Sequence, residues 1–362
     1  MRAQWQSNRY LQAWSIVKVE SAHLQRGPPT FKALAASSSD GLPQAQFSPA
    51  LKSWTVVDEA QMLSILRNPL CISPGAVEHL KSIEGRFGAD LANLLWIATV
   101  NPLLNEGETH LRARRELANW IAERRGDIAS KLPELVSSEF GKLLIAGEVE
   151  VMSECVLPFV GRLQSELLGL RRPLKMSPLV GTYVFDRFSG LSNLLRCNAQ
   201  IGEFRTEIES QNLPIATSTA LNLWVLGGDS LASSLGASLH HLFLDACQAG
   251  SNSYDFSRPY PSTGVAAAER ICVGSLELGE SKVLQGERLR LYMQGMNANI
   301  GSGVHVFGAG PHSCLGKVIA LDVWNALAKC LKAMSRVPKH VEAEFHNSSI
   351  FHMPKNLKVV FQ

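Results

Sequence analysis

The chain has 362 residues, which corresponds to about two domains, or one large domain, at roughly 150 residues per domain. Its 35 Lys and Arg against 32 Asp and Glu give a net charge of +3, so nothing in the charge balance indicates nucleic acid or an acidic membrane as partner. With 46% hydrophobic and 19% charged residues, the composition is typical of a globular chain and excludes a disordered one.

The predicted elements are mostly helical. Residues 1–45 are polar and end in a Ser-, Pro- and Gly-rich stretch, which predicts a loosely attached leader before a folded domain over 46–362. Met62, Ile65 and Leu66 share one face of a short predicted helix that ends before Pro69. In chain order we predict a strand over 53–57, that helix, helices over 109–145 and 149–170, a long helix from Pro214 to Gly250, strands within 269–293, a helix over 315–334 and strands to the C-terminus.

The apolar runs, the N-terminus and the cysteines indicate the cellular compartment. No apolar run approaches the roughly 20 residues of a membrane span, and the N-terminus lacks the apolar core and cleavage site of a secretion signal. Seven cysteines without a C-x-x-C pair argue against a disulfide framework or a zinc site and favour a reducing, cytoplasmic location.

Cys314 ends a glycine-rich loop and directly precedes a predicted helix. A sulfur at such a junction meets the unpaired N–H groups and the positive end of the helix, which stabilise an anion. We therefore expect a thiolate, the form of cysteine that binds metals, with backbone amides donating to the sulfur. The helix that follows has one buried face, recurring every four residues, formed by Leu315, Ile319, Val323, Leu327 and Leu331.

Other interpretations of this loop differ in strength. A structural cysteine buried beside a glycine-rich turn remains an alternative. A phosphate-binding loop is excluded. Pro311 and Val318 stand where the Walker pattern requires Gly and Ser or Thr, respectively. Val306 and Ser313 stand where the two possible G-x-G-x-x-G matches require their third glycine.

The pattern Phe307-x-x-Gly310-x-x-x-Cys314-x-Gly316 resembles the haem-binding signature of the cytochrome P-450 superfamily of haem-thiolate monooxygenases. The resemblance covers roughly residues 50–362 and implies a mainly α fold with a minor β region, in one large domain. It also implies haem b (iron protoporphyrin IX) as cofactor and Cys314 as the axial ligand of the iron. Phe307 would then pack near the sulfur, His312 would contact a haem propionate, and Gly316 completes the signature.

His110 and Arg114 lie four residues apart in a predicted helix and so share one face. The residues alone are consistent either with joint binding of an anionic group or with a solvated basic helix face. The resemblance favours the first and assigns both side chains to the haem propionates. Arg270, in a predicted strand, resembles a further propionate-binding arginine.

Two glycines interrupt the long predicted helix just before Asp229 and Ser230. Each costs about 1 kcal/mol there relative to alanine, so a structural reason is expected. One interpretation is two separate helices, the second capped by Asp229; the other is a local bulge with room for dioxygen. The segment resembles the oxygen-activation segment of the family, with Ser230 replacing the usual threonine. The resemblance implies that Asp229 and Ser230 are catalytic and relay protons.

A Glu-x-x-Arg pair on a helix before the sheet region also belongs to the family pattern. Its best match is Asp255-x-x-Arg258, in which the acid is one methylene shorter. Glu287-x-x-Arg290 fits too, but lies in a predicted strand too close to Cys314.

Two more segments bear on the resemblance. Residues 349–354 resemble a turn that contacts substrate. Residues 296–303 stand where the family has a longer, proline-rich meander that helps to dock the electron donor. This shortened region leaves the haem assignment intact but places the usual route of electron delivery in question.

The resemblance implies a monooxygenase of the soluble bacterial type. It would insert one oxygen atom of O2 into a small to medium organic substrate, a biosynthetic intermediate, with electrons from a ferredoxin-type partner. Arg112, Arg115 and Lys317 would form part of a positive docking face, or else a plain solvated face. Two alternatives remain: a haem-thiolate enzyme that needs no external electrons (a peroxygenase, isomerase or cyclase), and a non-catalytic haem-binding recruitment protein.

Overall fold

The computed structural model describes residues 45–49, 51–171, 179–251, 254–257, 259–293, 305–333, 336–346 and 348–362. Most of the predicted leader, residues 1–44, lies outside these ranges. Ala45, the last residue of the predicted leader, is instead the buried first residue of a strand.

The secondary structure is mainly helical with a minor β region, as predicted. The helices are α1 (Glu59–Arg67), α2 (Val77–Phe87), α3 (Ala92–Val100), α4 (Gly107–Phe140), α5 (Lys142–Ile145), α6 (Leu157–Leu168, preceded by a π-helical turn at Met152–Val156), α7 (Val180–Phe185), α8 (Leu191–Ser210), α9 (Thr217–Ala249) and α10 (Lys317–Lys332). The strands are β1 (Ala45–Ser48), β2 (Ser53–Val56), β3 (Cys71–Ile72), β4 (Glu148–Glu150), β5 (Ala268–Cys272), β6 (Leu276–Leu278), β7 (Ser281–Val283), β8 (Arg288–Leu291), β9 (Pro338–Phe345) and β10 (Pro354–Phe361).

The described residues form two compact units. Unit 1 contains those up to Pro74, together with Val265–Ser313 and His346–His352. Unit 2 contains Gly75–Gly264, Cys314–Phe345 and Met353–Gln362.

Unit 1 is built on a five-stranded sheet with the order β1-β2-β8-β5-β3. Strands β2 and β8 are parallel, and the other neighbours are antiparallel. Helix α1 begins after Asp58, whose carboxylate accepts a hydrogen bond from the Gln61 amide at 2.8 Å, as a helix N-cap does. Its predicted apolar face is confirmed, since Met62, Ile65 and Leu66 are buried in the core of this unit.

Unit 1 also buries an ion pair between neighbouring strands. The Arg290 guanidinium of β8 lies 3.0 Å from the Glu269 carboxylate of β5 and donates a hydrogen bond to the Ser349 carbonyl. The side chain of Arg290 is only 2% exposed, so this carboxylate and carbonyl replace the water that a buried charge needs. Glu287 has other partners, the Trp54 indole N–H and the Leu284 amide.

Unit 2 is helical and contains the longest buried element, α9. This helix has 33 residues, which is about 50 Å at 1.5 Å per residue. It begins at Thr217, three residues after the predicted start at Pro214, and ends at Gly250, whose φ of +59° gives the predicted left-handed cap. The sheet of this unit has the order β4-β10-β9, and β9 and β10 pack against α9.

Helix α10 has the predicted buried face. Val323, Leu327 and Leu331 are fully buried. Its first turn is held from outside, because the Tyr260 hydroxyl donates to the Ala320 carbonyl at 2.7 Å. The same tyrosine packs on Trp324, with 5.0 Å between ring centroids.

Candidate functional site

Cys314 lies directly before α10, where the sequence places it. The backbone N–H groups of Gly316 and Lys317, at the start of this helix, both donate to its sulfur. The side chain is exposed, so a ligand can reach the sulfur. The predicted approach of backbone amides is therefore present, and the alternative of a buried structural cysteine is wrong.

The charge state of Cys314 differs from the prediction. Desolvation by the surrounding protein atoms raises the pKa of the thiol, and the Gly316 amide, the Arg114 guanidinium and the Lys317 amide and ammonium together lower it only in part. The Cys314 side chain is accessible to a ligand. Nearby protein atoms nevertheless displace much of the water that would stabilise a thiolate anion. The helix N-terminus alone therefore does not make Cys314 a thiolate.

Arg114 and His110 lie on α4 in the same unit as Cys314. Burial lowers the pKa of Arg114, and the Cys314 sulfur raises it, which places the guanidinium within electrostatic reach of the thiol. His110 is 3% exposed, and its Nδ1 lies 2.8 Å from the Pro102 carbonyl oxygen. Because a carbonyl only accepts, Nδ1 must carry a hydrogen. A plain solvated face is therefore the wrong interpretation for these two residues, although it describes their neighbours Arg112 and Arg115, which are exposed.

Helix α9 runs through Gly227 and Gly228 without a break or a π-helical turn. The interpretation as two separate helices is therefore wrong, whereas the local bulge with room for dioxygen stays a prediction. Ser230 Oγ donates to the Leu226 carbonyl at 2.5 Å. Packing explains the glycine at position 227, which the sequence alone did not show. A Cβ at Gly227 would lie 3.1 Å from the Gln164 amide nitrogen.

Gln164 is a buried polar residue of α6 that contacts the glycine segment. Its side-chain nitrogen lies 3.3 Å from the Leu223 carbonyl and 3.2 Å from the Trp224 carbonyl, both in α9. A single glutamine on the otherwise apolar face of 157–168 was the available signal for this contact, and sequence reasoning passed over it.

Asp229 is buried, with 2% exposure, and its carboxylate binds the start of α7. One oxygen accepts from the Leu179 amide at 2.9 Å, and the other accepts from the Thr182 amide at 2.9 Å and the Thr182 hydroxyl at 3.2 Å. Gly181 lies so close to α9 that a Cβ there would be 2.7 Å from the Val225 carbonyl oxygen. Asp229 thus caps a helix, as one interpretation had it, but that helix is α7 and not a second half of α9.

The pKa of Asp229 is shifted by this environment. Burial raises it from 3.8 to about 6, and the amides of Thr182 and Leu179 and the Thr182 hydroxyl oppose the rise. A carboxyl with this pKa exchanges its proton near neutral pH, which suits a general acid. Both of its oxygens also accept hydrogen bonds from the start of α7, so movement of α7 would change how readily the proton is exchanged.

The other predicted haem contacts belong to unit 1. Arg270 is buried in β5 and donates to the Glu269 carbonyl at 2.7 Å. Phe307 and His312 are half-buried and end two short 3-10 helices, His305–Phe307 and Gly310–His312. Gly310 has a φ of +69°, and a Cβ there would collide with the Leu66 carbonyl, so this signature position requires glycine. Cys314, Gly316, His110, Arg114, Asp229 and Ser230 belong to unit 2.

Comparison with solved structures gives many similar folds. P450 RauA, complexed with a biosynthetic intermediate of aurachin RE, is 19% identical, with a TM-score of 0.71 over 92% of this chain and 98% of that one. The haem domain of Acinetobacter radioresistens CYP116B5 is 16% identical, with a TM-score of 0.70 over 93% and 95%. P450BioI, in complex with an acyl carrier protein ligated to hexadec-9Z-enoic acid, is 14% identical, with a TM-score of 0.68 over 93% and 98%.

The chain has the cytochrome P450 fold. No family model matches the sequence, and no curated protein is similar to it by sequence. The likeness therefore lies in the arrangement of the backbone rather than in overall sequence identity, and the short signature around Cys314 is the part of the sequence that indicated it. Among the residues described, no helix has the length and apolarity to cross a membrane.

The segment between α9 and β5 contains the first residue of the Asp255-x-x-Arg258 pair. Asp255 lies in a non-helical part of this segment, where its carboxylate accepts from the Ser257 amide at 2.8 Å, and its pairing with Arg258 stays a prediction. Pro259 and Pro261 explain why no helix forms, since a proline within a helix removes a donor and clashes with the preceding turn. Arg258 and the shortened region 296–303 lie outside the described residues. The rejection of Glu287-x-x-Arg290 is confirmed, because Arg290 pairs with Glu269.

The donor set around Cys314 fits a haem. Within the described residues, no group of three or more His, Cys, Asp or Glu side chains could hold a metal ion. A porphyrin supplies four nitrogen ligands to its iron, so a haem would need few ligands from the protein, and the Cys314 thiol could provide one. The two amides at the sulfur are the hydrogen bonds that tune such a centre.

Proposed function

We propose that the protein is a haem-thiolate monooxygenase that inserts one oxygen atom of O2 into a small to medium organic substrate. The observation that carries this proposal is the accessible Cys314 sulfur at the N-terminus of α10, in a chain with the P450 fold. Two backbone N–H groups donate to this sulfur, and the Arg114 guanidinium lies within electrostatic reach of it. When bound, a thiolate-ligated haem supplies the activation of dioxygen.

Within unit 2, Cys314 would bind the iron of haem b, while His110 and Arg114 would bind propionates. The resemblance also assigns Arg270, Phe307 and His312 to haem binding, and this assignment stays a prediction. The half-buried Arg114 guanidinium on α4 supports the propionate assignment, because a cation shielded from water binds a carboxylate more strongly than a solvated one does. His110 lies one turn before it on the same helix.

The protons for oxygen activation would pass through Ser230. Its hydroxyl hydrogen is directed to the Leu226 carbonyl, which leaves the oxygen lone pairs able to accept a hydrogen bond from water. Movement of α7 would change how readily Asp229 acts as proton donor, since Leu179 and Thr182 donate hydrogen bonds to both of its oxygens. We therefore assign Asp229 two tasks, anchoring α7 and supplying the relay.

The occupied carboxylate of Asp229 also favours a second candidate, a haem-thiolate enzyme that uses no external electrons, because a peroxygenase or isomerase needs no proton relay to O2. A non-catalytic haem-binding protein is also consistent with this contact, because Asp229 has a structural role in anchoring α7. The comparison of two turnover assays separates these possibilities. Product formation with NAD(P)H and a ferredoxin system supports the monooxygenase, whereas turnover with peroxide or with no co-substrate supports the second candidate.

The absorption spectrum of the ferrous–carbon monoxide complex tests the haem-thiolate assignment itself. We expect the red-shifted Soret band of a thiolate ligand in the wild type and its loss in Cys314→Ser. Cys330→Ser is the matched control, because Cys330 lies on the same helix, is half-buried and should leave the band unchanged. A protein that binds no haem, or a Cys314→Ser variant that keeps the red-shifted band, refutes the proposal.

The electron donor is proposed to be an acidic ferredoxin that binds near Arg112, Arg115 and Lys317. The two arginines are exposed, so reversing their charge removes steering that weakens with salt. We expect Arg112→Glu with Arg115→Glu to lower the association rate with a ferredoxin at low ionic strength. Arg205→Glu is the control, since Arg205 is a surface arginine of α8 already paired with Glu209 at 2.9 Å. Equal rates for all three proteins contradict the docking face.

A further inference from the structure

Two buried cysteines face each other across an edge of the sheet of unit 1. Cys71 lies in β3 and Cys272 at the end of β5, and the register of these antiparallel strands pairs Cys71 with Cys272 and Ile72 with Ile271. Among the described strand pairs, this is the one in which two cysteines are direct partners.

The hydrogen bonds show which kind of pair this is. The Cys272 amide donates to Glu287 and its carbonyl accepts from Gly286, so both of its backbone groups point away from β3. The next residue, Val273, donates to the Leu70 carbonyl at 2.8 Å. Cys71 and Cys272 therefore form a non-hydrogen-bonded pair, the position in an antiparallel sheet where the two backbones and their side chains come closest.

This position matches the geometry of a disulfide. Non-hydrogen-bonded partners have Cα atoms about 4.5 Å apart, which lies within the range of about 4.4 to 6.8 Å that disulfides span. The two thiols are in hydrogen-bond contact, and burial and the Cys272 sulfur raise the pKa of Cys71 to about 12. The two thiols are thus in contact, at a pair position whose usual backbone spacing suits a disulfide.

Access to the pair is through the edge of the sheet. Strand β3 is two residues long and is the outermost strand of the order β1-β2-β8-β5-β3. Short edge strands have few bonds to break, so they open locally at a low free-energy cost. Opening of β3 exposes Cys71 and leaves β5 paired to β8.

We propose that Cys71 and Cys272 are a redox-active pair that closes to a cross-strand disulfide on exchange with a low-molecular-weight disulfide such as oxidised glutathione. One cysteine, as thiolate, attacks a glutathione sulfur, forms a mixed disulfide and releases one glutathione thiolate. The second cysteine, also as thiolate, attacks the protein sulfur of the mixed disulfide and releases the other glutathione. Two protein thiols are oxidised, one glutathione disulfide is reduced, and the two protons pass to the released thiolates.

The closed form ties β3 permanently to β5. The disulfide joins residues 201 positions apart in the chain (272 minus 71), and a cross-link over so long a segment restricts the unfolded state strongly. Its formation is expected to stabilise unit 1 against unfolding and to close the edge of its sheet. This inference does not depend on haem binding or on the proposed reaction.

The test is oxidation of the full chain with glutathione disulfide, alkylation of the remaining thiols and tryptic peptide mapping. Trypsin gives one cysteine in each relevant peptide, 68–81 and 271–282. We expect these two peptides joined, with a mass about 2 Da below their sum because two hydrogen atoms are lost, and separated again by dithiothreitol. Failure to join them, or a glutathione adduct that persists at either cysteine, overturns the proposal.

Variants distinguish the pair from general thiol oxidation. Cys71→Ser and Cys272→Ser should each abolish the joined peptides, whereas Cys247→Ser, on α9, should leave them. The oxidised wild type should also unfold at a higher denaturant concentration than the reduced wild type, a shift that disappears in Cys71→Ser and persists in Cys247→Ser. An equal shift in the wild type, Cys71→Ser and Cys247→Ser contradicts the assignment to this pair. If Cys71→Ser folds poorly, the shift is still compared between the wild type and Cys247→Ser, and the peptide map still identifies the bond.

Discussion

The buried carboxyl of Asp229 should make stability depend on pH in a direction opposite to that of most acidic residues. Burial raises its pKa from 3.8 to about 6, so the folded protein holds this proton more tightly than the unfolded chain does. The free energy of unfolding should therefore be highest below about pH 4 for this group and should fall as the pH rises to about 6. A difference of this size corresponds to about 3 kcal/mol.

Asp229→Asn isolates the effect because asparagine does not ionise. We expect the wild type to lose up to about 3 kcal/mol relative to this variant between about pH 4 and pH 6, and to lose nothing further above that range. Urea unfolding of both proteins across this range measures the difference, since subtraction cancels the titration of every other group. Asp127→Asn is the control: Asp127 is an exposed residue of α4, and its curve should run parallel to the wild type.

The result that refutes the reasoning is a wild-type-minus-variant difference that stays flat or rises with pH. A rise would mean that the amides of Leu179 and Thr182 stabilise the carboxylate by more than burial destabilises it. Asp229 would then be a permanent anion that anchors α7, and its part in the proton relay would have to be abandoned.

Four further substitutions test the packing and the buried ion pair. Gly264→Ala should be severely destabilising, because a Cβ there would collide with the backbone of α9. Gly126→Ala, in an open position of α4, should instead stabilise the protein by about 0.5 to 1 kcal/mol. Thermal unfolding of both variants checks this. Glu269→Gln should cost about 3 to 5 kcal/mol by leaving the buried Arg290 charge without its anion, as measured by urea unfolding. Trp324→Phe should cost less than about 1.5 kcal/mol by the same assay, because the indole N–H it removes has no hydrogen-bond partner among the described residues.

The parts of the site that are local in sequence could be predicted. Cys314 and the amides that bind its sulfur lie within four residues, so the order of loop, thiol and helix N-terminus is visible in the chain. The charge of the thiol could not be predicted, because its desolvation depends on atoms from distant segments of the chain. This desolvation raises the pKa of the thiol by more than the amides lower it. Helix α10 was found for the same local reason: its buried residues recur every four positions.

Long-range contacts were out of reach. Asp229 binds Leu179 and Thr182, which lie about 50 positions earlier, and no periodic pattern connects them. Helix α3 was missed because 92–100 is apolar nearly throughout and shows no helical face. Helix α8 did carry a signal, since Leu194, Cys197, Ile201, Phe204 and Ile208 recur at helical spacing and are buried.

Tyr260 has a consequence for where this molecule tolerates change. Its φ of +51° is uncommon for a side chain of this size, and its hydroxyl fixes the Ala320 carbonyl in the first turn of α10. The start of α10, next to the sulfur, is therefore held by a contact from outside the helix. Inserting or deleting one residue beside Tyr260 would displace this hydroxyl and remove that support from the turn that follows the thiol.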